Sequence, residues 1–118
     1  MYRAAIYIRV NSGSQLDIAQ AGKEEEALLK YCRENKLGIV GIYREYVDRI
    51  KGGKKVLSEV ADLIKKQEID HLAIMDYSKI SSDLSEFLEL YKMANRYGTV
   101  ICGPNIKQCP TLGREYER

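Results

Sequence analysis

Four short apolar runs constrain the fold of this chain more than any other feature of its sequence. A strand covered on one face alternates apolar and polar residues, whereas a strand covered on both faces is apolar almost throughout. The runs are of the second kind, so they predict four strands in a sheet that is covered on both sides. They are AAIYIRV at 4–10, GIVGIY at 38–43, HLAIM at 71–75 and GTVIC at 98–102.

The segments between these runs have helical periodicity. A long polar segment, 17–35, predicts a first helix, and Gly98 marks the end of the third. Asp83 and Glu86 have the three-residue offset of an N-cap and capping box at the start of that third helix. Strands that alternate with helices favour right-handed crossovers. The predicted fold class is therefore α/β, a three-layer α/β/α sandwich with a mainly parallel sheet of four to five strands. The residues predicted to face inward are Leu28, Tyr31 and Cys32 in the first helix, Leu57, Val60, Ala61 and Ile64 in the second, and Leu84, Phe87, Leu88 and Tyr91 in the third.

Chain length and charge narrow the class of protein. At 118 residues the chain has room for one compact domain. Its formal net charge is only +2, so a role in nucleic-acid binding requires a local basic patch. No apolar run reaches the ~20 residues of a membrane span, and the N-terminus lacks the layout of a signal peptide. We therefore expect a soluble, cytoplasmic protein.

The cysteines and the single histidine do not form a metal-binding pattern. Cys32, Cys102 and Cys109 are odd in number and lack CxxC spacing, which argues against both a disulfide framework and a zinc site. We expect buried or unreactive thiols, a structural role for His71, and no metal or other cofactor.

Polar residues at the ends of the predicted strands point to a phosphate-binding crevice. Ligands of parallel α/β folds gather at the carboxyl ends of the strands. The predicted loops at those ends are 11–16, 45–55 and 76–83. If the first strand is central, a largely cationic set of side chains shares one crevice, and such a set suits a phosphate. The set is Arg9, Asn11, Gln15, Lys54 and Lys79.

The order of these motifs resembles that of the serine recombinases, the resolvase and invertase family. The segment YIRVNSGSQLDIAQ is similar to the family's opening signature, approximately Y-x-R-V-S-x-x-x-Q. Asp48 falls at the aspartate of the family's D-x-x-x-S-G loop, and Gly52 falls on its glycine. KKVLSEVADLI resembles the family's R-P-x-L helix start, and DHLAIMDYSKISSDLSEFLEL resembles its strand followed by D-R-L-S-R.

The resemblance implies a catalytic domain that acts on DNA. In this family a serine attacks a DNA phosphodiester to give a 5′-phosphoserine bond, within a dimer or tetramer that exchanges strands. A serine hydroxyl suits that step because neighbouring groups can activate it as a covalent nucleophile. Arginines suit the charge that develops on the phosphate oxygens, because a guanidinium donates two parallel hydrogen bonds.

The chain departs from the family pattern at the reacting centre. Arg9 and Gln15 match the family's arginine and glutamine, but Asn11 stands at the position of the nucleophile, and an amide cannot form the phosphoester. Lys54 stands at the position of the loop arginine, so the compact charge of an ammonium replaces a planar guanidinium. In the D-R-L-S-R stretch, Ser78 replaces the aspartate, Lys79 the first arginine and Ser82 the second. The resemblance therefore implies a recombination-associated domain with impaired strand cleavage.

Other interpretations of these residues remain. Ser12 is a candidate replacement nucleophile, although a step of one residue along an extended segment turns a side chain to the other face. Asn11 is also a residue that shapes turns. Tyr77 lacks visible activating groups and is interpreted as a packing or rim residue. The alternative functions are an active recombinase that uses Ser12, and a non-catalytic module for phosphate-ligand binding or oligomerisation.

Basic residues after the second strand are the best candidates for contact with the DNA backbone. The acidic segment KEEEALL of the first helix offsets their charge, so this domain alone is expected to bind DNA weakly. The predicted partners are DNA and either a second copy of the chain or an active recombinase subunit, with no membrane. The basic residues are Arg49, Lys51, Lys54 and Lys55.

The resemblance also suggests a division of the chain. We predict a resolvase-like catalytic-type domain at 1–103, followed by a C-terminal tail at 104–118. For the tail, a loop, a short strand near Ile106 and the start of the family's dimerisation helix are alternatives.

Overall fold

The computed structural model describes residues 2–11, 15–47, 55–76 and 84–106, with the backbone alone at Asn11 and Leu84. Strands and helices alternate along these ranges. In chain order they are β1 (Tyr2–Asn11), α1 (Gln15–Glu34), β2 (Leu37–Val47), α2 (Lys55–Lys65), β3 (His71–Ala73), α3 (Leu84–Arg96) and β4 (Val100–Cys102).

All of the described strand pairs are parallel. The order across the sheet is β2-β1-β3-β4, so β1 lies inside the sheet as expected of a central strand. Its pairing with β2 runs from Tyr2 opposite Leu37 to Asn11 opposite Val47, with a bulge that leaves Val40 without a register partner. Because the strands are parallel, their carboxyl ends meet at one edge of the sheet.

Two apolar clusters lie on the two faces of this sheet. On one face Ala5 and Tyr7 belong to a cluster with residues of α2 and α3, such as Val60 and Phe87. On the other face the alternate residues of β1 pack with α1 through Leu28 and Cys32. The period of two along β1 thus assigns its side chains to opposite layers. The predicted α/β/α sandwich is confirmed.

Helix ends are closed by residues in left-handed backbone. At the end of α3, Gly98 has a φ of 83°. The Thr99 N–H donates to the Ala94 carbonyl at 2.8 Å and the Gly98 N–H to the Asn95 carbonyl at 3.2 Å, the pair of bonds of a Schellman motif. Gly98 therefore ends the third helix, as its sequence position predicts. Lys36 and Gln67 take the corresponding conformation after α1 and α2, each with a φ of 58°.

An ion pair joins the start of β1 to the turn before β3. The Arg3 guanidinium donates from Nε to Asp70 Oδ2 and from Nη2 to Asp70 Oδ1, each at 3.2 Å. The Arg3 backbone N–H donates to Oδ2 at 2.8 Å, and Nη2 also donates to the Gln67 carbonyl at 2.9 Å. These bonds from Arg3 lower the pKa of the Asp70 carboxyl from its ordinary value.

Acid is expected to weaken the fold through this ion pair. Because the folded-state pKa of Asp70 is depressed, the pair contributes stability that is present above the ordinary carboxyl value of 3.8 and is lost as pH falls through the folded pKa. Urea unfolding from neutral pH to about pH 2 should show that Asp70→Asn is less stable near neutrality and loses less further stability in acid. Asp62→Asn, on the exposed side of α2, is the control. Equal acid sensitivity of Asp70→Asn and the unmodified chain would contradict this account.

The second strand is longer than its apolar run. The run predicts a strand at 38–43 and a loop from 45, but β2 continues to Val47. The loop prediction is therefore wrong for residues 45–47. The physical reason is that β1 offers ladder partners as far as Asn11, so backbone pairing carries β2 past its last apolar residue. The strands β3 and β4 are shorter than predicted, with three residues each.

Two of the three thiols lie within the described ranges. Cys32 and Cys102 are free and buried, as predicted, and burial raises the pKa of Cys102 to about 11. Cys109 lies outside the described residues. Among the described residues, no group of three or more His, Cys, Asp or Glu side chains is arranged to hold a metal ion. In the same ranges, no helix combines the length and apolar character that a membrane crossing requires.

Candidate functional site

The candidate site lies at the carboxyl edge of the sheet, around the end of β1. Asn11 is the last residue of β1 and pairs with Val47, the last residue of β2. Two residues earlier, Arg9 pairs with Glu45. Arg9 is half-buried and Glu45 is 4% exposed, so a cation and a carboxylate occupy neighbouring strands at the same level of the sheet.

Glu45 connects three elements through its carboxylate. Its Oε1 accepts a hydrogen bond from the Tyr7 hydroxyl of β1 at 3.2 Å and another from the Leu57 backbone N–H of α2 at 2.9 Å. Its Oε2 accepts from the Val56 N–H at 3.0 Å. These two N–H groups belong to the first turn of α2, where backbone donors have no partner within the helix. The carboxylate of β2 therefore caps α2 from a distance and lies at the positive end of its dipole.

Tyr7 is held in its protonated form. Burial is the main cause that raises the pKa of Tyr7 above its ordinary value, and the Glu45 carboxylate adds to the increase. The charge of Arg9 lowers the pKa of Tyr7, so the field of Arg9 reaches the Tyr7 hydroxyl. At neutral pH the Tyr7 hydroxyl consequently remains a donor to Glu45. Arg9, Tyr7 and Glu45 form one electrostatic cluster at the end of β1.

The start of α2 brings a second cation to this cluster. Lys55, predicted to contact the DNA backbone, is the first residue of α2 and is exposed. The next two residues are those whose N–H groups Glu45 holds. Glu45 therefore fixes the backbone that carries Lys55 relative to the strand that carries Arg9. Two cations next to a preorganised helix start suit a phosphate ligand.

Gln15 lies on a different element of the same edge. It is the exposed first residue of α1, and α1 packs on the face of the sheet opposite to Tyr7. Arg9 and Gln15 thus belong to elements that meet at the carboxyl edge from different layers. Their action on one shared ligand stays a prediction.

Most of the other predicted site residues lie outside the described residues. The roles predicted for them, as replacement nucleophile, loop cation, loop aspartate or phosphate contact, stay predictions. These residues are Ser12, Asp48, Arg49, Lys51, Gly52, Lys54, Tyr77, Ser78, Lys79 and Ser82.

Sequence reasoning missed Glu45, although the sequence contains a signal for it. Helix α2 begins at Lys55, has no acidic residue in its first turn, and is preceded by Lys54, which is not an N-capping residue type. The first N–H groups of a helix without a capping residue type before it need an acceptor from elsewhere in the fold or from water. The nearest preceding carboxylates, Asp48 and Glu45, were the available candidates.

The acidic run of α1 is less available to solvent than the sequence suggests. Of its three consecutive glutamates, Glu24 is buried, and Glu25 accepts hydrogen bonds from Arg44 at 2.8 and 2.9 Å. Glu26 is exposed. The negative charge that this helix presents to solvent is therefore smaller than the sequence KEEE implies.

Comparison with known proteins decides the family. The family described as resolvase, N terminal domain, matches residues 4–111. The chain belongs to this family. The predicted membership among the resolvases is confirmed, and it makes this a recombinase-type domain of the site-specific recombination systems. Among curated proteins, no sequence matches the chain.

Solved structures of serine recombinases share the fold of this resolvase-family domain. A resolvase family site-specific recombinase from Streptococcus pneumoniae has a TM-score of 0.75 and 19% identity, covering 86% of this chain and 72% of its own. The C-terminal catalytic domain of ISC1926 TnpA, an IS607-like serine recombinase, has a TM-score of 0.72 and 17% identity, covering 92% of this chain and 72% of its own. The N-terminal catalytic domain of TP901-1 integrase has a TM-score of 0.68 and 16% identity, covering 87% of this chain and 77% of its own.

Proposed function

We propose that this resolvase-family domain acts in site-specific DNA recombination as a DNA-associating subunit whose own strand cleavage is impaired. It contacts the phosphate backbone through the carboxyl edge of its sheet and works with a second recombinase subunit that carries an intact nucleophile.

Asn11 is the observation that carries this proposal. It ends β1 two residues after Arg9, at the position that the family signature gives to the attacking serine. A carboxamide nitrogen is delocalised into its carbonyl, and its oxygen is a poor nucleophile, so neither atom supplies the phosphoserine bond. Retention of Arg9 beside a changed nucleophile favours phosphate binding without cleavage.

The described cations support the DNA contact. Arg9 and Lys55 lie on elements that Glu45 joins at one edge, and the acidic run of α1 is largely engaged within the fold. Each cation that neutralises a phosphate releases a counterion, so affinity depends on salt. A domain with few such contacts binds weakly alone, which favours assembly with a partner subunit.

A cleavage assay tests the proposal. The unmodified chain, Asn11→Ser and the matched control Asn11→Ala are incubated with supercoiled DNA, with and without an active serine recombinase and its site. After denaturation, protein bound covalently to DNA is measured. We expect the unmodified chain and Asn11→Ala to form at least about a thousandfold less adduct than the active recombinase, because loss of a nucleophile removes the covalent route.

The outcomes separate the alternatives. Adduct from Asn11→Ser alone supports the proposal, since it shows that the absence of a hydroxyl at position 11 is the main cause of the impaired cleavage. Adduct from neither the unmodified chain nor the two variants also supports it, with the centre disabled at several positions. Adduct from the unmodified chain that disappears in Ser12→Ala overturns the proposal and establishes a displaced nucleophile.

A further inference from the structure

We infer that Glu45 is a positioning residue for phosphate binding, which holds the start of α2 and its Lys55 at a fixed place beside the Arg9 end of β1. This inference rests on the proposed function, in which that edge binds the DNA backbone. Glu45 itself does not contact the phosphate. Its role is to set the spacing of the two cations that do.

Because Glu45 is buried, its carboxylate needs hydrogen-bond donors that offset the cost of burial. An ionised carboxylate in the interior is costly unless several donors surround it. Glu45 has three: the Tyr7 hydroxyl at 3.2 Å and the N–H groups of Val56 and Leu57 at 3.0 and 2.9 Å. The donors come from two different elements, β1 and α2. The carboxylate therefore bonds the sheet to the helix rather than completing a local turn.

The connection between the two cations runs through the strand ladder and the Glu45 side chain. Arg9 and Glu45 are register partners in the ladder between β1 and β2. Glu45 then binds the residues directly after Lys55. The Glu45 side chain itself therefore links the strand ladder to the held N–H groups. Such preorganisation reduces the ordering that a ligand would otherwise have to impose on its contacts.

The negative charge of Glu45 is already engaged by its donors. A free carboxylate near a phosphate site repels the ligand. Here the charge lies at the helix start, on the register partner of Arg9, and is hydrogen-bonded at both oxygens. We therefore expect the loss of positioning to outweigh the loss of repulsion when Glu45 is neutralised.

A binding experiment with matched variants tests this role. Affinity for a short fluorescent DNA duplex is measured over a salt series for the unmodified chain, Glu45→Gln, Arg9→Gln and the double variant. Glu25→Gln is the control, because it neutralises a carboxylate that pairs with Arg44 at the surface between α1 and β2. Hydrogen exchange of the Val56 and Leu57 amides is followed in parallel, so that the helix start is monitored without DNA.

We expect Glu45→Gln to weaken DNA binding about tenfold and Glu25→Gln to change it less than about twofold. Exchange at Val56 and Leu57 should accelerate in Glu45→Gln and in the double variant, but not in Arg9→Gln or Glu25→Gln. In the Arg9→Gln background, the further effect of Glu45→Gln should fall below about twofold, because the two cations no longer act together. If Glu45→Gln does not fold, Glu45→Asp keeps the charge and shortens the reach, and the same weakening is expected.

Three results would overturn the inference. Tighter binding by Glu45→Gln would show that the main effect of the carboxylate is to repel the phosphate. Unchanged binding by Glu45→Gln would show that Glu45 has no positioning role. The same conclusion would follow if the loss of affinity in the double variant equalled the product of the losses in Glu45→Gln and Arg9→Gln. Failure of the proposed function is distinguished by the unmodified chain itself. The unmodified chain could show no salt-dependent DNA binding while Glu45→Gln still accelerates amide exchange. That result would support the capping of α2 by Glu45 and contradict the role of this edge in DNA binding.

Discussion

Replacing Gly103 by alanine is expected to destabilise the fold by about 3 kcal/mol or more, because no room exists for a side chain there. Gly103 directly follows β4, and an added Cβ would overlap the carbonyl oxygen of Ile74 and lie 2.9 Å from its carbonyl carbon. The obstacle is backbone and cannot rotate away. It is also fixed, since the Ile74 N–H donates to the Cys102 carbonyl at 2.8 Å. Relief of the overlap would require the ends of β3 and β4 to separate.

Urea unfolding of Gly103→Ala and Gly22→Ala measures this effect. Gly22 lies in α1, is exposed, and has no atom within 4 Å of an added Cβ. Alanine there should stabilise the fold by about 0.5–1 kcal/mol through its greater helix propensity. A loss of less than about 1 kcal/mol for Gly103→Ala would show that the strand ends adjust easily, contrary to this prediction.

Truncation of Leu28 to alanine is expected to cost about 3 kcal/mol. Helix α1 has 20 residues, but its buried residues are Glu24, Leu28 and Cys32. Leu28 is the only large aliphatic side chain among the three, and it packs in the cluster formed by one face of β1. Its removal leaves a cavity between the helix and the sheet. Since few other side chains anchor α1, the remaining contacts compensate little.

Leu16→Ala is the matched control for this prediction. The substitution is chemically identical and lies in the same helix, but Leu16 is 82% exposed. We expect a change within about 0.5 kcal/mol in the free energy of unfolding. Similar losses for the two variants would mean that α1 is not held by its buried stripe.

The fold was predictable because its signals are local and repeated. Apolar runs of four strands and the period of α2 and α3 each depend on neighbouring residues, and each indicates the same layered arrangement. Val60, Ile64 and Phe87 were assigned to the core by spacing alone and are buried. Gly98 was assigned to a helix end and closes α3. The end of β2 was not predictable from its apolar run, because the ladder with β1 extends it through Arg44 and Glu45.

The candidate site was predictable only in part. The apolar run predicted Arg9 near the end of the first strand and Asn11 at the start of the following loop, whereas Asn11 is the last residue of β1. The run gave no indication that Tyr7 and Glu45 form a buried pair, since 38 residues separate them in sequence. The missing N-cap of α2 shows that some acceptor is needed, but not which one. That choice depends on the register of β1 and β2, which places Glu45 next to Arg9 and below the start of α2.

The sequence by itself determined the layered α/β fold, the family, and the presence of an asparagine at position 11. These properties are carried by residue type and spacing along the chain, so they need no knowledge of which elements touch. Only the tertiary structure decided that Glu45 is buried, that it caps α2, and that Gly103 has no space for a side chain. Each of these depends on atoms from distant segments meeting within a few ångströms, and such distances follow from strand register and helix placement rather than from local pattern.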